Sequence, residues 1–213
     1  MLEKLKEEVY KANMIIPQIA ENKTRSGVRD IPEVCPVCGG EAKIIKSNDV
    51  ESLYCMNPDC QAKKIKAFTL FVSRDAMNID GLSEMTLEKF IGCGFIREYA
   101  DIFHLDRYRD EIVTLEGFGD KSYNNLMNSV EQARHTTLPR VIYSLGIPNI
   151  GLSNAKMICK EYKNDLDKML AAPTEELAAM DGVGPVIAGA FVDFFAQEKN
   201  KTALELLLKE VEL

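Results

Sequence analysis

The sequence predicts a mainly α protein with a short β segment, a small four-cysteine module and a long helical domain built from four repeats. Three observations predict it. Cys35, Cys38, Cys55 and Cys60 cluster in one stretch. A four-residue turn pattern recurs four times from residue 80 onward. Between those turns, apolar residues return at i, i+3, i+4 and i+7, the period of a helix with one buried face.

Composition narrows the function classes. The chain has 213 residues and a net charge of -7, and 46% of it is hydrophobic, enough for a folded core. Its longest apolar runs reach about four residues, against the ~20 needed to cross a bilayer. It opens without a basic-then-apolar leader, so a soluble intracellular protein with no membrane partner is expected. The acidic balance excludes one broad basic surface for nucleic acid. Phosphate binding through main-chain amides stays open.

The elements follow in order. Residues 9–20 (VYKANMIIPQIA) are rich in Val, Ile and Tyr and contain Pro17. They read as an edge strand or two that cannot bury both faces alone. Residues 21–34, polar and holding Gly27 and Pro32, read as a linker. Then comes C-x2-C, sixteen residues, and C-x4-C. Each close pair can set two thiolates on one side of a tight turn, and two such turns make a tetrahedral site for structural Zn2+. Two disulfides are disfavoured in a chain without an export signal. Four thiolates leave no open coordination position, so the metal staples a segment too small for its own core. Cys93 and Cys159 stand in apolar helical patterns and read as small buried hydrophobes.

From about residue 66 the pattern is helical. Tyr123, Leu126, Met127, Val130 and Ala133 form one stripe; Val186, Ile187, Ala190, Phe191, Phe194 and Phe195 form another. Both read as core. The repeat is more informative: Asp80-Gly81-Leu82-Ser83, Glu116-Gly117-Phe118-Gly119, Pro148-Asn149-Ile150-Gly151 and Asp181-Gly182-Val183-Gly184, at steps of 36, 32 and 33 residues. Each reads as helix, tight turn, helix. The first small residue takes a positive φ, and Asn tolerates this next best after Gly. The middle hydrophobe turns inward. The second small residue leaves the amides of the next helix bare, where they carry partial positive charge and accept an anion. This is a helix-hairpin-helix pattern, which grips a DNA phosphate without reading bases. The expected DNA-binding residues are Gly81, Gly117, Gly119, Lys121, Ser122, Gly151, Ser153, Lys156, Gly182 and Gly184. The first turn is ranked weakest because Glu84 follows it. Lys63, Lys64, Lys66 and Arg74 are expected to add phosphate contacts.

Other motifs fail. The stretch 117–122 lacks the Gly-Lys-Ser/Thr junction of a phosphate loop, and Gly182-Val183-Gly184 follows a helical pattern rather than a strand. His104 and His135 have no motif partner and read as surface or partly packed residues. No catalytic set is legible.

Taken together, Cys35-Pro-Val-Cys38-Gly39, Tyr54-Cys55-Met-Asn57-Pro58-Asp-Cys60, Phe71-Val-Ser-Arg-Asp-Ala-Met-Asn-Ile-Asp-Gly81, Leu115-Glu-Gly-Phe-Gly-Asp-Lys-Ser122 and Ser144-Leu-Gly-Ile-Pro-Asn-Ile-Gly151 occur in fixed order. In this they resemble the carboxy-terminal half of bacterial NAD-dependent DNA ligases. Val9 to Ile19 is similar to the last strands of that family's OB-fold domain. The resemblance implies an OB-fold remnant and linker over 1–30, a four-cysteine zinc finger over 31–65 and four helix-hairpin-helix motifs over 66–213. It implies a non-sequence-specific grip on nicked duplex DNA in replication and repair, and a cytoplasmic, nucleoid-associated place. Nucleotidyl transfer in the family uses the lysine of Lys-x-Asp-Gly. Here Asn78 and Ala179 occupy the lysine's place before the two Asp-Gly pairs. NAD and Mg2+ are therefore expected to bind outside these residues, on the remaining ligase domains, and this chain alone is expected not to ligate. The alternatives are a free-standing, non-enzymatic DNA-binding module and a protein scaffold with no DNA role.

Overall fold

The computed structural model describes the strands Glu7–Lys11 and Met14–Gln18, then residues 31–47 and 50–213. It divides into two compact units, residues 1–56 and 57–213.

In the first unit, β1 (Glu7–Lys11) and β2 (Met14–Gln18) pair antiparallel, with Glu7 opposite Gln18 and Lys11 opposite Met14. One or two edge strands were expected here. Most of the expected linker, residues 21–30, lies outside the described residues. A second antiparallel hairpin joins β3 (Ala42–Ser47) to β4 (Val50–Cys55), with Ala42 opposite Cys55. Sequence reading missed this pair. Ile44, Ile45, Leu53 and Tyr54 are exposed on it. Among the described residues of 31–56, only Cys35 is buried. A module of this size has no hydrophobic core of its own, so its order depends on cross-linking.

The second unit is helical: α1 (Gln61–Val72), α2 (Glu84–Gly92), a 3-10 stretch (Tyr99–Tyr108), α3 (Arg109–Ile112), α4 (Asp120–Ala133), α5 (Leu138–Ser144), α6 (Leu152–Glu161), α7 (Leu166–Ala171), α8 (Thr174–Ala178), α9 (Pro185–Phe195) and α10 (Glu198–Leu208). One continuous core runs through it, from Phe68 and Phe71 of α1 to Leu204 and Leu207 of α10. The α4 stripe is as expected: Tyr123, Leu126, Val130 and Ala133 are buried, and Met127 packs against them. The α9 stripe holds for Phe191 and Phe195 but fails at Val186, which is 71% exposed. Helical period alone overlooked that Val186 lies in the first turn, beyond the reach of the core.

The first repeat also departs from the expected helix–turn–helix sequence. α1 stops at Val72, well before Gly81. The chain folds back instead: Met77 N–H donates to the Phe71 carbonyl at 3.0 Å and Ile79 N–H to that of Val72 at 2.9 Å. Cys159 is buried as expected, but Cys93 caps the end of α2 and is exposed. His104 and His135 each meet a carboxylate, Glu210 at 2.8 Å and Glu212 at 3.0 Å. Arg134 meets Glu210 as well, at 3.0 Å, and so ties the segment after α10 to the end of α4. Burial opposes ionisation of Glu210, but its bonds to Arg134 and His104 win and hold its carboxyl below the usual range.

The bends make one stability prediction. Gly182 has φ 75, and a Cβ there would collide with the flexible end of Met157. Gly184 has φ -80 and open space around it. Gly182→Ala should cost about 1–2 kcal/mol from the left-handed backbone alone. Gly184→Ala should stay within about 0.5 kcal/mol of wild type. Urea unfolding of both variants checks the contrast.

Candidate nucleic-acid interface and metal centre

The four repeats share one structural register. Gly81, Gly117, Asn149 and Gly182 all take positive φ, at 92, 87, 62 and 75°. The next residue turns inward: Leu82, Ile150 and Val183 are buried, and Phe118 packs half-buried against the core and Phe90. The fourth residue, Ser83, Gly119, Gly151 or Gly184, is the N-cap of the following helix. Gly81, Gly117, Asn149, Gly182 and Gly184 are exposed, and Gly119 and Gly151 are half-exposed, so the bends face outward.

The repeats pack two by two. A Cβ on Gly81 would touch Leu126 of α4 at 3.4 Å, and Asp80 N–H donates to Ser129 Oγ of the same helix at 2.8 Å. Lys89 of α2 donates to the Glu116 carbonyl at 3.0 Å, so bends one and two are neighbours. A cleft of about 350 Å3 between them has Met85 and Lys89 on one wall and Glu116, Gly117 and Phe118 on the other. In the second pair, Gly182 sits against Met157 of α6, and Asn154 Nδ2 reaches the Gly182 carbonyl at 3.5 Å.

The four helix starts differ in their hydrogen bonding. The first ring of α4 is closed by Tyr123 N–H on the Gly119 carbonyl at 3.0 Å, and that of α6 by Ala155 N–H on Gly151 at 3.0 Å. The N–H groups of residues 120–122 and 152–154 precede these rings and have no helical acceptor. The N-cap amides are held differently. Gly119 N–H donates to Ser122 Oγ at 2.9 Å, and Ser122 donates back to the Gly119 carbonyl at 3.0 Å. Gly151 N–H donates to Asn154 Oδ1 at 3.2 Å. The Ser122 hydroxyl is thus committed to the bend itself. Asn154, absent from the sequence-based set, does the same for the third bend. Helix α2 is more closed, because Ser83 Oγ accepts Thr86 N–H at 3.2 Å. Helix α9 has fewest amides to offer: Pro185 has none, and Ile187 N–H turns to the Gly184 carbonyl at 3.1 Å. Bends two and three therefore present the fullest sets of outward N–H groups, with Lys121, Ser153 and Lys156 exposed beside them.

Acids at these starts are neutralised locally. Asp120 accepts from Arg109 at 2.6 Å, and Glu84 pairs with Lys66 at 2.9 Å. Lys66, expected to meet a phosphate, pairs with Glu84; the Arg74 main-chain carbonyl accepts from Arg140 at 2.6 Å, a bond that does not involve the Arg74 guanidinium. Lys63 and Lys64 remain exposed. With Lys199, which sequence reading missed, they line a cleft of about 720 Å3 that reaches Gly146 and Pro148 beside the third bend.

The predicted metal ligands converge. The Sγ atoms of Cys35, Cys38, Cys55 and Cys60 all lie within 4.8 Å of one another. The Cys38 and Cys55 sulfurs are 3.6 Å apart, close to the ~3.8 Å edge of a tetrahedron with 2.3 Å metal–sulfur bonds and far beyond the ~2.05 Å of a disulfide. Gly39, at φ 68, turns the chain so that Cys35 N–H reaches the Gly40 carbonyl at 2.7 Å. The backbone N–H groups of Cys38 and then Val37 donate to the Cys35 sulfur and lower its pKa, which favours the thiolate a metal needs. This set can hold a metal ion.

Comparison with known proteins agrees with the reading of the bends. Residues 140–204, which span the third and fourth bends, match the family model described as a helix-hairpin-helix motif. The DNA ligase of Lachnoclostridium phytofermentans is 60% identical over 203 residues, which is 95% of this chain and 31% of that protein. Almost the whole chain is homologous to part of a DNA ligase. The DNA ligases of Ruminiclostridium cellulolyticum and Petrotoga mobilis are 55% and 38% identical over 205 and 204 residues. The chain spans about a third of the length of these ligases. No helix among the described residues is long and apolar enough to cross a membrane.

Thiol chemistry tests the metal set. Burial pushes the Cys159 thiol up to about 12, so it should react slowly, and exposed Cys93 should react at once. With metal bound, a thiol reagent should find one prompt thiol; after chelation it should find five. Cys55→Ser should abolish stoichiometric metal binding, and retention of one metal per chain would refute the ligand set.

Proposed function

We propose that this chain is the part of an NAD-dependent DNA ligase that grips duplex DNA around a nick by its phosphate backbone. The observation that carries this reading is the common register of the four bends, with outward amides fullest at residues 120–122 and 152–154. Amides at a helix start bind anions without added basic side chains. This reconciles a net charge of -7 with a polyanionic partner. Such contacts fix position and carry no sequence information, as suits an enzyme that acts at any nick.

Each residue of the sequence-based set has a role in this reading. Gly119 and Gly151 give a phosphate close access; Lys121, Ser153 and Lys156 donate to it. Ser122 acts indirectly, by holding the second bend in shape. Gly81, Gly117 and Gly182 set the bends. Gly184 leaves the fourth start uncovered. Zn2+ is the metal of the four-cysteine set, and its role is structural, because four thiolates close its coordination shell. Residues 1–30 correspond to the end of an OB fold and a linker, 31–65 to the zinc finger and 66–213 to the DNA grip. NAD and Mg2+ act on other ligase domains, consistent with the missing Lys-x-Asp-Gly lysine, and the location is cytoplasmic, at the nucleoid.

Binding to a nicked duplex tests the reading. Affinity should fall as salt rises, with a log–log slope of about 0.9 for each phosphate that a lysine neutralises and little added by the neutral amides. Gly119 has extended backbone, φ -168, with nothing within 4 Å of an added Cβ. Gly119→Ala should therefore cost no more than about 1 kcal/mol, for the poorer N-cap residue, yet weaken binding roughly tenfold, by blocking the approach of a phosphate. Lys121→Ala should reduce the log–log salt slope by about 0.9. Absence of duplex binding at low salt with zinc loaded would favour the protein scaffold.

A further inference from the structure

The same register exposes a difference among the repeats. The second residue of the helix after each bend is Met85, Lys121, Ser153 or Val186. In the two inner repeats this residue is a hydrogen-bond donor. In the two outer repeats it is a large hydrophobe, and Met85 (72%) and Val186 (71%) are the most exposed large hydrophobes among the described residues. Neither contributes to the core. Met85 shares the cleft between the first two bends with Gly117. Met85 therefore lies beside the second bend, on the side of Glu116, Gly117 and Phe118. Helices α2 and α9 also have the fewest amides to offer, so apolar surface replaces donors where the anion site is poorest.

We infer that Met85 and Val186 pack against the deoxyribose rings of the bound strand, so that this face distinguishes DNA from RNA. The inference rests on the phosphate-gripping reading and deepens it. Along a nucleic-acid strand the neighbour of every phosphate is a sugar. The C2′ methylene of deoxyribose offers a methionine or valine an apolar contact. A ribose 2′-hydroxyl in the same place would lose its water without gaining a partner, since neither side chain can hydrogen-bond in return. The inner repeats hold phosphates; the outer repeats sense the sugar.

The experiment compares a 20-base-pair DNA duplex with a DNA–RNA hybrid of the same sequence, each titrated over a range of salt concentrations. Wild type should bind the DNA duplex roughly tenfold tighter than the hybrid. Met85→Ser/Val186→Ser should weaken DNA binding and narrow the preference to about twofold, with the salt slope unchanged, because no ionic contact is lost. Met85→Leu/Val186→Ile should keep the preference. Both positions are solvent-facing, so thermal melting of all variants should match wild type. An unchanged sugar preference in the serine variant would overturn the inference while leaving the phosphate grip intact. So would a loss of self-association with unaltered DNA binding, which would assign the two side chains to a second copy of the chain. Failure of wild type to bind either duplex would remove the phosphate-gripping reading and this inference together.

Discussion

The second unit depends on one constraint: the chain must reverse within three residues without burying an unpaired amide. A left-handed residue makes the reversal, an inward hydrophobe anchors it, and an N-cap residue starts the next helix. Burying Val183 or Ile150 contributes about 1.5–3 kcal/mol of transfer free energy, enough to offset a strained bend. Because the anchor points inward, the amides after it must point outward. The proposed anion site is a by-product of the way the core is closed.

The side chains around the bends refine that by-product. Ser122 and Asn154 hold the N-cap amides of the two inner repeats, which stiffens the bend and leaves the next three N–H groups outward. Asn154 also links the third bend to the fourth through the Gly182 carbonyl. Arg109 masks Asp120, an acid that would otherwise repel an incoming phosphate. These small local arrangements allow an acidic protein to present a surface suited to a polyanion. Lys63, Lys64 and Lys199 extend the surface beside the third bend with ordinary charge.

Much of this was legible in the residues. The cysteine spacing named four sulfurs that converge, because a tetrahedral site requires two close pairs. The repeat named the bends, because few residues other than Gly and Asn tolerate the left-handed region. What escaped the sequence were long-range pairings. Nothing local says that Lys66 meets Glu84, or that the Ser122 hydroxyl turns to its own bend rather than outward. The strands β3 and β4 were missed because Ile44, Ile45, Leu53 and Tyr54 lack strict alternation and lie exposed in a module without a core. Val186 and Cys93 were placed inside because a helical period shows which face is apolar but not how far along the helix the core extends.

Main-chain amides, more than cationic side chains, are the groups proposed to hold the sugar–phosphate backbone. Amide proton shifts of isotope-labelled, zinc-loaded protein, followed during titration with a nicked duplex, test this most directly. The largest downfield shifts should fall at Asp120, Lys121, Ser122, Leu152, Ser153 and Asn154, with smaller ones after the first and fourth bends. Saturable binding that leaves those six amides unmoved, with changes confined to lysine side chains elsewhere, would contradict it.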